Sequence, residues 1–421
     1  MTRSEVTSDA TVSLLTGGGD RPYVFGLATA LASKGVTVDL IGSDELDLPV
    51  FRQEPKIKFL NLRGSLDSEV SLPTKITRLS LYYIKLICYA ATARPRVFHI
   101  LWNNKFETFD RTVLMLYYKL LRKKIVLTVH NVNQERRDSR DSFLNRLTLR
   151  IQYRLCHHLF VHTEKMKREL TEQFGVRGAN VTVVPFGINN ALPNTALTPG
   201  DAKRRLGLRK EDKAVLFFGR IKPYKGLDYM IDAIRQVSAI GESYRLIIAG
   251  RPFGCEEYWA AIRNNIHEDV QAGNILLRTD FIPDDEVEVY FKAADVLVLP
   301  YRGIYQSGVL FTGQGFGIPV LAADVGSFGE DITDGKSGFL FKPEDPGDLA
   351  RTIKRYFSSE LYKELDTRRA EIRADATKRH SWDIVGHLTI GVYAGLDRTA
   401  PSETSLNPDV PSASRDVKVS S

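Results

Sequence analysis

The chain has 421 residues, 43% hydrophobic and 26% charged, with a formal net charge of +7 at neutral pH. That length suits two domains better than one core, and the composition excludes a disordered or fibrous chain. No apolar run approaches the roughly 20 residues of a membrane-spanning helix. The opening MTRSEVTSDATV lacks the apolar segment of a secretory signal. Three widely separated cysteines, Cys88, Cys156 and Cys255, form no CxxC pair, so a reduced, cytoplasmic setting is expected. The charge is unevenly placed: residues 1–198 hold 28 Lys and Arg against 18 Asp and Glu, and the remainder 30 against 33. A basic first half implies an anionic partner, which is a membrane surface, nucleic acid or a phosphorylated substrate.

In chain order, residues 1–9 are polar and expected to be disordered. Short runs of Val, Ile and Leu then predict strands at Val12–Leu15, Val36–Ile41, Val97–Leu101, Ile125–Val129, His158–His162 and Val181–Val184. Helical patterns separate them, for example at Phe25–Ser33 and Leu144–Arg154. Near-continuous apolar strands between helices predict a parallel sheet covered on both faces. Asn189–Gly207, with Pro193, Pro199 and Gly200, reads as a linker running into a short helix. The second half repeats the scheme. Strands are predicted at Ala214–Phe218, Arg245–Ala249, Ile275–Leu277, Val296–Pro300 and Pro319–Ala322. Helices are predicted at Leu227–Val237, Glu256–Ile266, Glu286–Ala293 and Asp348–Ser358. Residues 398–421 are rich in Ser, Pro and Asp and are expected to be disordered. The expected fold class is α/β, with two facing Rossmann-like, doubly wound domains at 10–190 and 205–381 joined by a linker at 191–204. Ligands of such folds bind between the carboxyl ends of the strands, here in an interdomain cleft.

Two segments carry chemistry. In Val215–Asp228 a buried strand reaches Gly219, presents Arg220, Lys222 and Lys225, and enters a helix after Gly226. Phosphate recognition uses that combination of close backbone, forked guanidinium and point charge, though a solvated strand-to-helix loop has the same look. In Gln306-Ser307-Gly308-Val309, small residues precede an apolar helical stretch. Its free amides suit a diphosphate, or else Ser307 simply caps the helix.

Order and spacing of several segments make the second half resemble the nucleotide-sugar-binding domain of family 4 glycosyltransferases, which have the GT-B fold. The matching segments are Gly219-Arg220 with Lys225-Gly226, then Phe281–Val287, Ala293–Pro300, Gly317–Gly326 and Asp334–Phe341. The first half matches more loosely, through the turn Thr16–Gly19, Thr128–Asn131 and Val181–Ile188, so the resemblance spans roughly residues 10–397. It implies a hexosyl transfer from a nucleoside-diphosphate sugar, with retention of configuration and without metal or other cofactor. Arg220 and Lys225 would bind the diphosphate, with the amides near Ser307, Gly308 and Val309 holding the distal phosphate. Gln306 and Gly219 would belong to the same donor site, and Ile282 would pass the nucleobase. Gly17, Gly18 and Gly19 would approach from the opposite wall, and His130 would meet a sugar hydroxyl or the charge near the anomeric carbon. A final helix near Trp382–Leu396 would cross back onto the first domain.

One departure stands out. The family places two glutamates eight positions apart, and alignment on Gly317 and Pro319 puts Ile304 and Thr312 there. Thr312 offers at most a single hydroxyl to the ribose, and Ile304 offers the sugar nothing. A catalytically weakened partner subunit that binds nucleotide or glycan is therefore a second reading.

The basic surplus falls on the acceptor side. Arg78–Tyr89 and Leu114–Lys124 combine Tyr, Leu and Lys as a surface lying on anionic lipid would, or as helices packed on the sheet would. Arg136, Arg137, Arg140 and Arg146 could meet an acceptor phosphate. No zinc-finger, RNP-like or helix-turn-helix pattern occurs, so nucleic acid is not expected. His157-His158 beside Cys156 resembles a metal ligand set but sits at a helix-to-strand boundary. The expected partners are a nucleotide sugar, a glycan or phosphate-linked lipid acceptor, and the inner face of the plasma membrane.

Overall fold

The computed structural model describes residues 10–67, 70–137, 141–189, 192–238 and 243–398. The disorder expected for residues 1–9 and 399–421 concerns residues outside that set, whereas Arg398 closes a helix.

Seven strands form the first sheet: β1 (Thr11–Leu15), β2 (Thr37–Gly42), β3 (Ile57–Asn61), β4 (Val97–Ile100), β5 (Lys124–Thr128), β6 (His158–Val161) and β7 (Val181–Val183). All pair in parallel, in the order β3-β2-β1-β4-β5-β6-β7. Six form the second: β8 (Lys213–Phe218), β9 (Tyr244–Ala249), β10 (Ile275–Arg278), β11 (Val296–Leu299), β12 (Val320–Ala323) and β13 (Gly338–Phe341). They too are parallel, in the order β10-β9-β8-β11-β12-β13. Each unit winds outward from an inner strand and then jumps back past it. Crevices therefore open at the carboxyl ends of β1 and β4, and of β8 and β11. The α/β class and the two doubly wound units expected from the sequence are present.

Strands β3 and β13 were absent from the strand pattern read above, and both are edge strands. β3 (IKFLN) turns Lys58 and Asn61 to water, which dilutes its apolar signal. β13 starts at Gly338, where a Cβ would lie 1.8 Å from the Val320 carbonyl oxygen, so close pairing needs a residue of low strand propensity.

The helix Arg21–Ser33 begins where the Asp20 carboxylate accepts from the Tyr23 amide at 3.0 Å, with Pro22 in the first turn. It buries Val24, Leu27 and Leu31 against the first sheet. The linker helix Pro199–Arg205 is capped by Thr198 and docks on the second unit, where the buried Lys203 ammonium lies 2.9 Å from Asp295. The last helix, Trp382–Arg398, lies on the first unit. The Trp382 indole fills the space left by Gly26 and Gly187, and its Nε1 donates to the Ile188 carbonyl at 2.7 Å. Tyr393 on the same helix reaches His99 on β4 at 2.6 Å.

Candidate active site

Strand β8 leaves the core at Gly219, whose φ of +97° favours glycine. A Cβ there would sit 3.1 Å from Lys225 Nζ and 3.4 Å from a Val309 methyl. The missing side chain thus lets a cation and the first turn of helix Gly308–Gly315 converge on one patch of backbone. Lys225 ends a single 3-10 turn, Pro223–Lys225, and is buried with Nζ 5.5 Å from the centre of the Tyr301 ring. Arg220 is exposed and lies over Phe253 at 5.2 Å, as does Lys222. Opposite them, helix Gly308–Gly315 starts at the buried Ser307 with no side-chain cap. The amides of Gly308 and Val309, and the positive end of the helix, therefore face the cleft unmasked by a hydroxyl. Thr312 lines the same wall, and its hydroxyl donates to the Gly308 carbonyl at 3.0 Å.

Asp20, Pro22 and Tyr23, from the turn after β1, close the other side of a cleft of about 470 Å³. Crowding by protein raises the Asp20 carboxyl pKa, while the Tyr23 amide and the charge of Arg220 across the cleft pull it back. The Asp20 side chain keeps contact with water, which moderates the rise. Gly17, Gly18 and Gly19 line no part of this cleft. They let the turn pass Trp102, whose ring would lie 2.0 Å from a Cβ at Gly19, while Arg63 donates to the Gly17 carbonyl at 2.8 Å. Beside the cleft, Ile282, Phe218, Phe253 and the backbone of Gly219 and Gly250 form a pocket of about 290 Å³, with apolar walls and main-chain edges suited to a flat base.

His130 sits at the carboxyl end of β5 in a smaller polar pocket of about 130 Å³, and Gln134 lines both that pocket and the cleft. The Trp102 ring stacks on His130 at 4.1 Å, and Tyr23 meets it edge-on at 4.7 Å. His162 Nδ1 lies 3.2 Å from the Val184 carbonyl, and His162 Nε2 lies 3.1 Å from His130 Nδ1. The hydrogen-bond pattern assigns the protons. Nδ1–H of His162 donates to the carbonyl, its Nε2 accepts from His130 Nδ1–H, and His130 Nε2 is left as a lone pair without a partner. Burial pushes the pKa of His130 well below the usual range, and the neighbouring His162 adds to that effect, so the ring stays neutral.

The structure thus gathers Gly219, Arg220, Lys225, Gly308, Val309 and Thr312 around one cleft, with Ile282 next door. Ser307 stays behind the helix end. Gln306 turns its amide inward, where its polar atoms are buried beside the Asp331 carboxyl. Ile304 lines a separate cavity of about 530 Å³ between the units, with Lys165, Glu169 and Tyr305. His157 and His158 are engaged by the Ile125 amide and the Thr182 hydroxyl. Among the described residues no three His, Cys, Asp or Glu side chains gather as a metal ion would need. Sequence reading missed Asp20, Tyr23, Phe253 and Gln134. Asp20 was readable as a helix cap before Pro22, but Tyr23 and Gln134 sit in helices and Phe253 in a loop after β9, and only the packing of the two units brings them to the cleft.

A clasp holds the two units across the cleft. The Glu330 carboxylate accepts from the amides of Glu164 and Lys165, each at 3.1 Å, at the start of helix Glu164–Phe174. Lys165 Nζ donates to the Gly326 carbonyl at 2.7 Å, and the Tyr305 hydroxyl donates to Glu169 at 3.1 Å and accepts from the Asn133 amide at 3.1 Å. Glu330→Ala removes the charge at that helix end. It is expected to enlarge the radius of gyration in small-angle scattering and to raise KM for the donor several-fold, and an unchanged scattering curve would refute the clasp.

Comparison with known proteins agrees with this geometry. The family model Glycosyltransferase Family 4 matches residues 17–192, and Glycosyl transferases group 1 matches residues 212–359. One model falls on each unit, and the chain belongs to these glycosyltransferases. A D-inositol 3-phosphate glycosyltransferase of Acidothermus cellulolyticus is 30% identical over 242 residues, 56% of this chain and 52% of that protein. The matched stretch thus spans about half of that relative's length. Sucrose-phosphate synthase from Thermosynechococcus elongatus superposes with a TM-score of 0.74 at 18% identity, over 93% of this chain and 100% of that one. Anabaena HepE in complex with UDP-glucose gives 0.70 at 18% identity, over 92% and 99%. At such identities the likeness establishes the fold, which is GT-B. Among the described residues no helix is long and apolar enough to cross a membrane.

Proposed function

We propose that the chain transfers a hexose from a nucleoside-diphosphate sugar to a glycan or phosphate-linked lipid acceptor. Transfer retains anomeric configuration, uses no metal or other cofactor, and serves polysaccharide synthesis at the cytoplasmic face of the plasma membrane. The observation that carries this reading is the convergence of Lys225 and the uncapped end of helix Gly308–Gly315 on Gly219, beside the pocket at Ile282.

With a base in that pocket, the diphosphate lies between Arg220, Lys225 and the amides of Gly308 and Val309. The bond from the anomeric carbon to the phosphate oxygen breaks, and its electron pair stays on the departing diphosphate. The acceptor hydroxyl bonds to the anomeric carbon from the same face and passes its proton to the departing phosphate oxygen. Fixed positive charge in a partly dry cleft stabilises the negative charge that grows on the leaving group. His130 Nε2 is the free acceptor for a hydroxyl of the transferred sugar.

Ile304 and Thr312, where the family pattern has glutamates, favour a second reading as a nucleotide-binding partner subunit of low activity. A thermal-shift panel of UDP-, GDP- and ADP-hexoses, followed by turnover, separates the two. We expect one nucleotide series to stabilise the protein and Arg220→Ala to lose that stabilisation. Binding without turnover would support the partner reading, and no shift with any donor would overturn the transfer reading and leave a glycan-binding partner.

A further inference from the structure

Eleven of the sixteen exposed large apolar side chains among the described residues lie on one face of the first unit. Helix Leu72–Thr92 presents Leu72, Ile76, Leu81 and Ile84 while burying Tyr82, Tyr83 and Leu86. The helical stretch after Phe106 presents Val113, Leu116 and Leu120, the last 82% exposed, and buries Leu114, Met115 and Tyr118. Helix Phe143–Leu155 presents Phe143, Leu144 and Leu147. These stretches are neighbours. Tyr83 stacks on Phe106 at 5.5 Å, and the Tyr117 hydroxyl donates to the Ile87 carbonyl at 3.0 Å. Arg111 reaches Asn145 at 2.8 Å, joining the second stretch to the third. Each helix therefore has two apolar sides, one in the core and one facing outward that no other described residue covers.

The charge on this face is one-sided. Residues 72–92, 111–124 and 143–155 hold eleven Lys and Arg and no Asp or Glu. The carboxylates bordering it are engaged: Glu107 with Arg111, Asp110 with Tyr83, and Asp141 with Asn145. Lys75, Arg78, Lys85, Arg122, Arg146 and Arg150 stand exposed between the apolar side chains. At one edge Arg63, Lys75, Arg78 and Lys105 surround a hollow of about 290 Å³, which Asp67 also lines.

We infer that this face seats the protein on an anionic lipid bilayer, its apolar side chains entering the interface and its cations meeting lipid phosphates. The inference rests on the reading of the acceptor as lipid-held and names the surface that reaches it. Apolar and cationic side chains interleaved on in-plane helices are what interfacial binding requires. A second copy of the chain fits less well, because a two-fold interface would press this cationic face against itself.

Flotation of the full chain with vesicles of phosphatidylglycerol and phosphatidylcholine, against phosphatidylcholine alone, tests the seat. The wild type should float with the anionic vesicles and be released by salt. Ile84→Glu with Leu120→Glu, and separately Lys85→Glu with Arg122→Glu, should each lower partitioning about tenfold or more. Both pairs sit at exposed positions, so donor binding and unfolding temperature should not change. Wild-type protein that stays in the soluble fraction, or an apolar double variant that floats like the wild type, would overturn the inference. So would a dimer in size-exclusion chromatography that Leu120→Glu dissolves without any vesicle binding. Flotation together with a complete failure to bind nucleotide sugars would leave the seat standing and remove the glycosyl-transfer reading instead.

Discussion

Lys225→Ala is expected to lower kcat for donor turnover by about 10²- to 10³-fold, with a much smaller change in KM. The asymmetry follows from where the two cations sit. Arg220 is exposed at the mouth of the cleft, where water screens its charge and where, on the proposed function, it would act on donor capture. Lys225 is buried against Tyr301, and its Nζ is placed over Gly219 next to the first turn of helix Gly308–Gly315. A charge in that setting acts through a lower effective dielectric. It also needs no reorganisation when negative charge develops on the leaving group, so its effect grows in the transition state and appears in kcat. Lys225→Arg should recover little, because the space over Gly219 is set by a slender chain and a point charge. Steady-state kinetics on Lys225→Ala and Arg220→Ala checks the claim. Equal losses of kcat and of kcat/KM in both variants would refute the division of labour, and a wild-type kcat in Lys225→Ala would remove Lys225 from the reaction altogether.

How far this site could be read in advance depended on whether its parts were local. The strand-glycine-cation-helix run from Val215 to Asp228 is contiguous, so composition and spacing exposed it, and the structure puts Gly219 and Lys225 in one place. The Gln306–Val309 stretch was readable only in part. Its amides face the cleft, but Gln306 turns inward, because no one-residue pattern tells which way a loop side chain points before a short helix. Asp20 and Tyr23 come from a strand about 200 positions upstream of Arg220. They reach the cleft through the relative placement of two separate sheets, which no periodicity encodes. The same holds for Ile304. Its register opposite Thr312 was countable, yet it lines a different interdomain cavity. For the fold, fully buried central strands carried unbroken apolar runs, whereas β3 turns Lys58 and Asn61 to water and β13 opens on Gly338, so both went unseen.

The largest effect on stability is expected from acid. Burial, as the main cause, depresses the pKa of His99 to about 3 and of His157, His158, His162 and His380 to about 4, and it holds His130 well below the ordinary range. In the unfolded chain these rings titrate near about 6.5. The stability they confer is therefore complete above that pH and is lost as pH falls from there towards about 4, because unfolding takes up protons. Several buried carboxyls oppose the trend, Asp20, Glu169 and Asp295 among them. Burial raises Asp331 to about 7 and Asp110 to about 6, so the folded state keeps protons there that the unfolded chain releases. Around pH 5.5 these rings are neutral in the folded chain and largely protonated in the unfolded one, so their proton uptake works against the carboxyls' release and stability falls on acidification. Denaturant titrations between about pH 7.5 and pH 5.5 should give a positive slope of stability against pH, and His157→Gln should reduce the uptake by about one proton while its amide oxygen still accepts from the Ile125 amide. A flat profile, or stability that rises on acidification, would mean that these rings are solvated in the folded state and that the neutral His162–His130 chain, with its free Nε2, does not exist as described.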